Sequence, residues 1–291
     1  MGSVRHFLLA IQFFTRIPVT GALADWVGFS PAMFRASAAY FPAVGLVVGG
    51  LVTALTAALL YGLPTAYAPL VAAVLGTAAG VWITGAFHED GLADVADGLG
   101  GSYDRDRALV IMKDSRVGAF GAIAVTLALL AKVALLALIG AVSPVWMCAA
   151  LMGAHLVSRT WPLLVIRLLP HVGDYAGSKS KPLADQITLG SLVVALAWSS
   201  AGLALTVGST ALWRTPGLAD CAGLNCTHAA PYALTVWASA LVASALAFVY
   251  LWRLFARRLQ GFTGDCLGTV QQLCELAFYL GLALGLGASG G

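Results

Sequence analysis

The sequence predicts an all-α fold, a polytopic transmembrane helix bundle of about seven spans preceded by an N-terminal interfacial helix. Of the 291 residues, 60% are hydrophobic and only 10% are charged, whereas about 25% of an average soluble domain is charged. Several stretches of roughly 20 residues carry no fixed charge, which is the length that crosses about 30 Å of hydrocarbon. A chain this apolar must face lipid, so the lipid bilayer is its first predicted partner.

The predicted spans cover residues of about 36–60, 67–87, 117–140, 145–168, 187–208, 231–254 and 269–287. Turn sequences at Tyr61–Pro64 and at Ser143-Pro144 separate neighbouring spans. With no soluble domain or linker apparent, residues 1–291 are predicted to form a single integral membrane domain. Within it, residues 1–35 form the interfacial segment and residues 88–116 form an acidic and basic cytoplasmic loop.

The positive charges fall almost entirely on one side of these spans. By loop, 14 of the 16 lysines and arginines lie on the same face, which the positive-inside rule identifies as cytoplasmic. Most of the acidic residues lie on that face too, although acids contribute little to topology. The net charge of +3 provides no concentrated basic stripe, so no nucleic acid is expected as a partner.

An acidic stripe follows the second predicted span. Asp90, Asp94 and Asp97 have i, i+4, i+7 spacing, which places their side chains within about 60° of one another on a helix. Carboxylates crowded at a membrane boundary repel one another, and a bound cation reverses that repulsion. Oxygen ligands of this kind, combined with substrate phosphates, are typical of Mg²⁺. The stripe is therefore predicted to bind Mg²⁺, with Glu89 as a base or an additional ligand.

The alternative for this stripe is an acidic helix end that is neutralised by neighbouring arginines, the candidates being Arg105, Arg107 and Arg116. Such a pairing would leave no role for a cation.

Basic residues near the acidic stripe are predicted to bind phosphate. Lys113 and Arg116 precede the third span. Gly118 and Gly121 leave the start of that span without bulky side chains, and the free N–H groups there favour an anion. The alternative for these cations is a simple positive-inside anchor. Arg159, near the cytoplasmic end of the fourth span, is suited either to a phosphate or to neutralising an aspartate.

Two further segments complete the predicted site. The loop that carries Lys179 and Lys181 is able to close over an anionic substrate, and a solvated loop is the alternative. Asp265 opens the last span and is followed by polar residues on the same helical face, so it is predicted to form a second wall of the site. A polar helix–helix contact is the alternative there.

Lys132, inside the third span, requires a partner that the sequence does not name. Cys221 and Cys226 share one external loop and are expected to form a short-range disulfide.

Several ordered motifs make the chain similar to the cobalamin synthase (adenosylcobinamide-GDP ribazoletransferase) family over nearly its whole length. They are Phe7–Pro18, Phe41–Gly45, His88–Gly98, Met112–Gly121, Lys181–Asp185, and Gly264–Gly268 with Gln271 and Gln272.

The resemblance implies the reaction and its partners. A ribose hydroxyl of α-ribazole, or of its 5′-phosphate, attacks the cobinamide-linked phosphorus of adenosylcobinamide-GDP, and GMP departs. The product is adenosylcobalamin or its 5′-phosphate, at the end of cobalamin biosynthesis. Asp90, Asp94 and Asp97 are then expected to bind Mg²⁺, and Asp265 or Glu89 to take the hydroxyl proton.

The chain is expected to be a multi-pass protein of a bacterial cytoplasmic (inner) membrane, and the distribution of lysine and arginine predicts an active site that faces the cytoplasm. A second copy of the chain and other enzymes of cobalamin biosynthesis are further expected partners.

Two other functions are alternatives to this one. A CDP-alcohol phosphotransferase would carry the signature D-G-x-x-A-R here, but Asp90-Gly91 is followed by Leu92-Ala93-Asp94, with no Ala-Arg pair. A cation-coupled secondary transporter would place its carboxylates near the midplane, commonly in repeated halves, and no internal repeat is apparent.

Overall fold

The computed structural model describes residues 2–173, 187–212 and 229–288, and these segments fold into α-helices. In chain order the helices are α1 (Gly2–Phe14), α2 (Ala22–Val27), α3 (Pro31–Ser37), α4 (Phe41–Gly62), α5 (Ala68–Thr84), α6 (Phe87–Gly101), α7 (Arg105–Met112), α8 (Ala119–Val142), α9 (Pro144–Ser158), α10 (Trp161–Leu168), α11 (Leu189–Leu212), α12 (Ala229–Arg258) and α13 (Gly264–Ala288). A short 3₁₀ turn, Ala38–Tyr40, leads into α4. The expected disulfide between Cys221 and Cys226 lies outside the described residues.

The predicted membrane bundle is confirmed. Within the described ranges, six helical segments are long and apolar enough to cross a bilayer, and a bent pair, α5 with α6, raises the number to seven. Helices α9 and α10 together form the fourth predicted span, and α5 corresponds to the second.

Helix α6 turns sharply away from α5. The two helices meet at an angle of 88°, because Gly85 and Ala86 both adopt left-handed backbone conformations, with φ of 67° and 59°. Glycine is suited to that conformation and alanine is not, so Ala86 is held there by its surroundings. The Arg16 N–H donates to the Ile83 carbonyl at 2.7 Å, which ties the N-terminal segment to this bend.

The N-terminal segment, predicted as interfacial, contains three short helices. The Ser30 hydroxyl accepts from the Met33 N–H and caps α3. Aromatic rings join α1 to its neighbours, with Phe13 4.6 Å from Phe34 and Phe14 4.3 Å from Phe41, measured between ring centroids. Phe14 also lies 5.6 Å from Phe87, so the end of α1 lies beside the starts of α4 and α6.

Small residues let the helices of the site approach closely. A Cβ on Gly45 of α4 would overlap the His155 carbonyl of α9, and a Cβ on Gly91 of α6 would lie 2.8 Å from the Asp265 carbonyl of α13. The Thr269 hydroxyl also donates to the Gly91 carbonyl at 3.0 Å. Small residues, which let membrane helices approach closely, thus shape the contacts that position the acidic residues.

Candidate active site

The three aspartates of the acidic stripe lie on α6 in different environments. Asp90 is exposed, Asp94 is partly buried, and Asp97 is only 8% exposed. The stripe therefore descends from the protein surface into the interior within two turns of helix.

Asp97 binds the start of α8. Its two carboxylate oxygens accept the Gly118 N–H at 2.7 Å and the Gly121 N–H at 2.8 Å. A Cβ on either glycine would overlap this carboxylate, so the contact explains why both positions are glycine. The helix start does attract an anion, as expected, but the anion is a side chain of the protein. The prediction that these amides receive a substrate phosphate is wrong. The metal-binding role predicted for Asp97 stays a prediction.

Asp265 joins the acidic stripe from α13. The close contact at Gly91 brings the first turn of α13 against α6, and Asp94 interacts electrostatically with Asp265, Asp90 and Asp97, in that order of strength. The Thr263 hydroxyl donates to Asp265 at 3.2 Å. Asp265 therefore lies near Asp90 and Asp94, but within residues 2–173, 187–212 and 229–288 no three acidic, histidine or cysteine side chains are grouped closely enough to hold a metal ion.

Two of the arginines proposed to neutralise the stripe bind other acids. Arg105 pairs with Asp106 at 2.8 Å, and Arg116 pairs with Asp114 at 2.5 Å. Hydrogen bonds from Arg116, together with its charge, lower the pKa of Asp114 to about 2. Those ion pairs remove Arg105 and Arg116 from the list of groups that would neutralise Asp90 and Asp94.

The predicted phosphate-binding cations are not all brought together. Lys113 and Arg116 are exposed between α7 and α8. Arg159 instead is buried, with 5% exposure, and one of its terminal nitrogens contacts the His155 carbonyl at 3.0 Å and the His155 ring at 2.9 Å. Lys179 and Lys181 lie outside the described residues.

A buried polar chain connects the interior of the bundle to Glu89. Lys132 of α8 pairs with Glu275 of α13 at 2.6 Å, which supplies the partner that the sequence did not name. Gln271 donates to Glu275 at 2.5 Å, Gln272 donates to Gln271 at 3.1 Å, and Gln272 also donates to Glu89 Oε1 at 2.9 Å.

Glu89 itself is 7% exposed. Its second oxygen, Oε2, is buried without a hydrogen-bond partner among the described residues. The sequence contained one signal for these buried polar contacts, because Lys132 and Glu275 are opposite charges inside two predicted spans. It did not show that the two residues pair with each other.

The fold defines a multi-pass membrane protein in which acidic residues of α6 and α13 lie near one another. Residues 6–283 match the family described as Cobalamin-5-phosphate synthase. The chain belongs to this family, which confirms the resemblance seen in its motifs.

Relatives named adenosylcobinamide-GDP ribazoletransferase cover almost the whole chain. A protein of Albidiferax ferrireducens is 66% identical, over 97% of this chain and 99% of its own length. One of Polaromonas naphthalenivorans is 58% identical over the same shares, and one of Vibrio cholerae is 37% identical over 94% and 91%. No solved structure matches the chain.

Proposed function

We propose a mechanism in which α6 and α13 together carry out the reaction of this family. The chain is an adenosylcobinamide-GDP ribazoletransferase, acting in the final step of cobalamin biosynthesis. The observation that carries the mechanism is the contact at Gly91, which brings Asp265 beside Asp90 and Asp94.

In the proposed step, a ribose hydroxyl oxygen of α-ribazole, or of its 5′-phosphate, bonds to the cobinamide-linked phosphorus of adenosylcobinamide-GDP. The bond from that phosphorus to the GMP oxygen breaks, and GMP leaves with the electron pair. The hydroxyl proton passes to a carboxylate of the enzyme. Two large substrates must be held in line, so most of the catalysis is positioning and charge stabilisation.

The neighbouring carboxylates of α6 and α13 suit Mg²⁺ by their chemistry. Asp90, Asp94 and Asp265 are oxygen donors that repel one another in close proximity, and a hard divalent cation relieves this repulsion. Bound there, Mg²⁺ would supply positive charge to the diphosphate oxygens. Asp97 has a positioning role, because its hydrogen bonds to Gly118 and Gly121 attach α6 to α8.

Glu89 is the proposed proton acceptor. Its Oε1 is fixed by Gln272, while its buried Oε2 lacks a hydrogen-bond partner within the described part of the chain. A buried acceptor oxygen without a donor is costly, and a substrate hydroxyl provides that donor. Asp265 is the second candidate for the proton acceptor, since it approaches Asp90 and Asp94 from a different helix, α13.

The cations act on the substrate phosphates. Lys113 and Arg116, exposed beside the acidic helix, stabilise the departing GMP, assisted by Lys179 and Lys181. Arg159 binds substrate from the buried side. The site lies on the cytoplasmic side of a bacterial inner membrane, in keeping with the distribution of lysine and arginine.

The test is Asp94→Asn, which removes a charge and preserves the side-chain volume. Turnover, measured as GMP release, is expected to fall at least about 100-fold because a charge that contacts the reacting group is lost. Binding of Mn²⁺ without substrate, followed by electron paramagnetic resonance, is expected to weaken in parallel.

Asp106→Asn is the matched control. Asp106 is exposed and pairs with Arg105, so its replacement should leave turnover within about twofold of the unaltered protein. Near-normal GMP release by Asp94→Asn would remove Asp94 from the metal site.

A further inference from the structure

A groove on the surface of the bundle is lined by α5 and α8, two helices that pack against each other. Its cavity volume is about 440 Å³, which lies within the range of ligand-binding pockets, about 300–1,000 Å³. Val74, Ala78 and Trp82 of α5 and Leu129 of α8 provide apolar side chains. Because Val74 and Trp82 are 45% and 68% exposed, the groove opens on a face of the bundle that meets lipid.

The length of the groove matches one leaflet of a bilayer. From Val74 to the bend at Gly85 the chain advances about 16 Å, at about 1.5 Å of rise per residue. A bilayer contains about 30 Å of hydrocarbon, about half of it in each leaflet. Trp82 lies beside the bend, and tryptophan is enriched at the level of the lipid headgroups. The groove thus extends from the headgroup level at the bend to about the centre of the membrane.

Arg16 lies at the headgroup end of this groove. It lines the groove beside Gly85 and Ala86, and a Cβ on Gly85 would lie 2.8 Å from the Arg16 Nε. Arg16 is exposed, and among the described residues of the lining it alone is charged. The ion pairs found in the segments that the structure describes involve other side chains. Its positive charge therefore remains available to an anion from outside the chain.

We infer that this groove binds one anionic phospholipid, with the lipid phosphate on the Arg16 guanidinium and an acyl chain along α5 and α8. A guanidinium donates two parallel N–H groups to the oxygens of a phosphate, and the acyl chain covers the apolar side chains of both helices. Basic pockets between membrane helices recognise lipid headgroups in the same manner. A soluble phosphate compound would contact Arg16 but leave the apolar length of the groove uncovered, so the observations favour a lipid.

The charge of the lining also distinguishes between phospholipids. A zwitterionic headgroup carries an amine in addition to its phosphate, and Arg16 repels that amine. No carboxylate in the described part of the lining would receive it. Phosphatidylglycerol, which has no amine, is therefore the expected kind of ligand.

The test places the full-length protein in phosphatidylcholine nanodiscs with a trace of phosphatidylglycerol that carries a photoactivatable group in its acyl chain. After illumination, the labelled peptides are identified by mass spectrometry, and labelling is expected to concentrate on residues 74–82 and around Leu129. Unlabelled phosphatidylglycerol should displace the label, whereas zwitterionic phosphatidylethanolamine and inorganic phosphate should not. Neither substrate of the transferase is present, so the result is independent of the proposed mechanism.

Two variants test the two parts of the site. Arg16→Gln removes the charge, and the concentration of unlabelled phosphatidylglycerol that halves the labelling should rise about 5-fold. Ala78→Trp fills the apolar part of the groove and should abolish the labelling of residues 74–82 while Arg16 is intact. Because Ala78 is exposed, the larger side chain leaves the packing inside the bundle undisturbed.

Arg107→Gln and Ala238→Trp are the matched controls, since each makes the same change at an exposed position that does not line the groove. Their labelling should equal that of the unaltered protein. Unchanged labelling of residues 74–82 in Ala78→Trp would overturn the inference, and so would displacement by phosphatidylethanolamine or by inorganic phosphate alone. Labelling spread evenly over the exposed faces of all spans would show surrounding bilayer lipid in place of a binding site.

Discussion

The ion pair between Lys132 and Glu275 allows a sharp test of how the bundle is stabilised. Both side chains are almost fully buried, with 6% and 1% exposure, and their charged atoms lie 2.6 Å apart. At an effective dielectric of about 20, that separation gives an attraction of about 6 kcal/mol, which offsets the cost of keeping either charge away from water.

Replacing one partner leaves the other charge buried and unpaired. Lys132→Met and Glu275→Gln, each close in shape to the original, are therefore expected to lower the free energy of unfolding by about 3–5 kcal/mol. Glu275→Gln also weakens the hydrogen bonds from Tyr279 and Gln271. The double variant buries no unpaired charge, so its loss should be well below the sum of the single losses.

The assay is reversible unfolding in mixed micelles with increasing dodecyl sulfate, and Arg107→Met, at an exposed cation, is the control. A coupling free energy of at least about 2 kcal/mol in the double-mutant cycle is expected. Strictly additive losses would refute the conclusion that the two charges stabilise each other.

Two further predictions concern the residues around the site. Gly121→Ala should lower the free energy of unfolding by about 1–3 kcal/mol, because the added Cβ overlaps the Asp97 carboxylate. Gly50→Ala is the control, since a Cβ there meets open space and should not lower the free energy of unfolding. Equal losses for the two variants in a thermal unfolding assay would contradict this account. Gln272→Leu removes the donor to Glu89, so the kcat for GMP release should fall about 10-fold and its pH profile should shift; a change in KM alone would argue against a positioning role.

Hydropathy was sufficient to predict the membrane spans because crossing a bilayer is a property of local composition. The positions of α4 and α12 follow directly from long stretches without fixed charge. The bend between α5 and α6 depends instead on backbone conformation at Gly85 and Ala86. An alanine in the left-handed region has no local signature.

The candidate site was predictable in residue type and less so in pairing. Spacing alone placed Asp90, Asp94 and Asp97 on one face, but the glycines whose N–H groups donate to Asp97 lie more than twenty positions further along the chain. The sequence also did not show that Arg159 is buried whereas Lys113 and Arg116 are exposed, because burial depends on distant parts of the chain. Its burial results from the crossing of α4 and α9, which depends on tertiary packing at Gly45.

The right-angled turn between α5 and α6 also determines the depth at which the aspartates lie. Seven residues of helix rise about 10 Å, so a straight continuation of α5 would stagger Asp90 and Asp97 by that distance along the membrane normal. A helix perpendicular to a spanning helix runs parallel to the bilayer plane, and its side chains then form a row at a single level. A diphosphate lying flat against the membrane can then contact Asp90 and Asp94, at the open end of this row, without entering hydrocarbon.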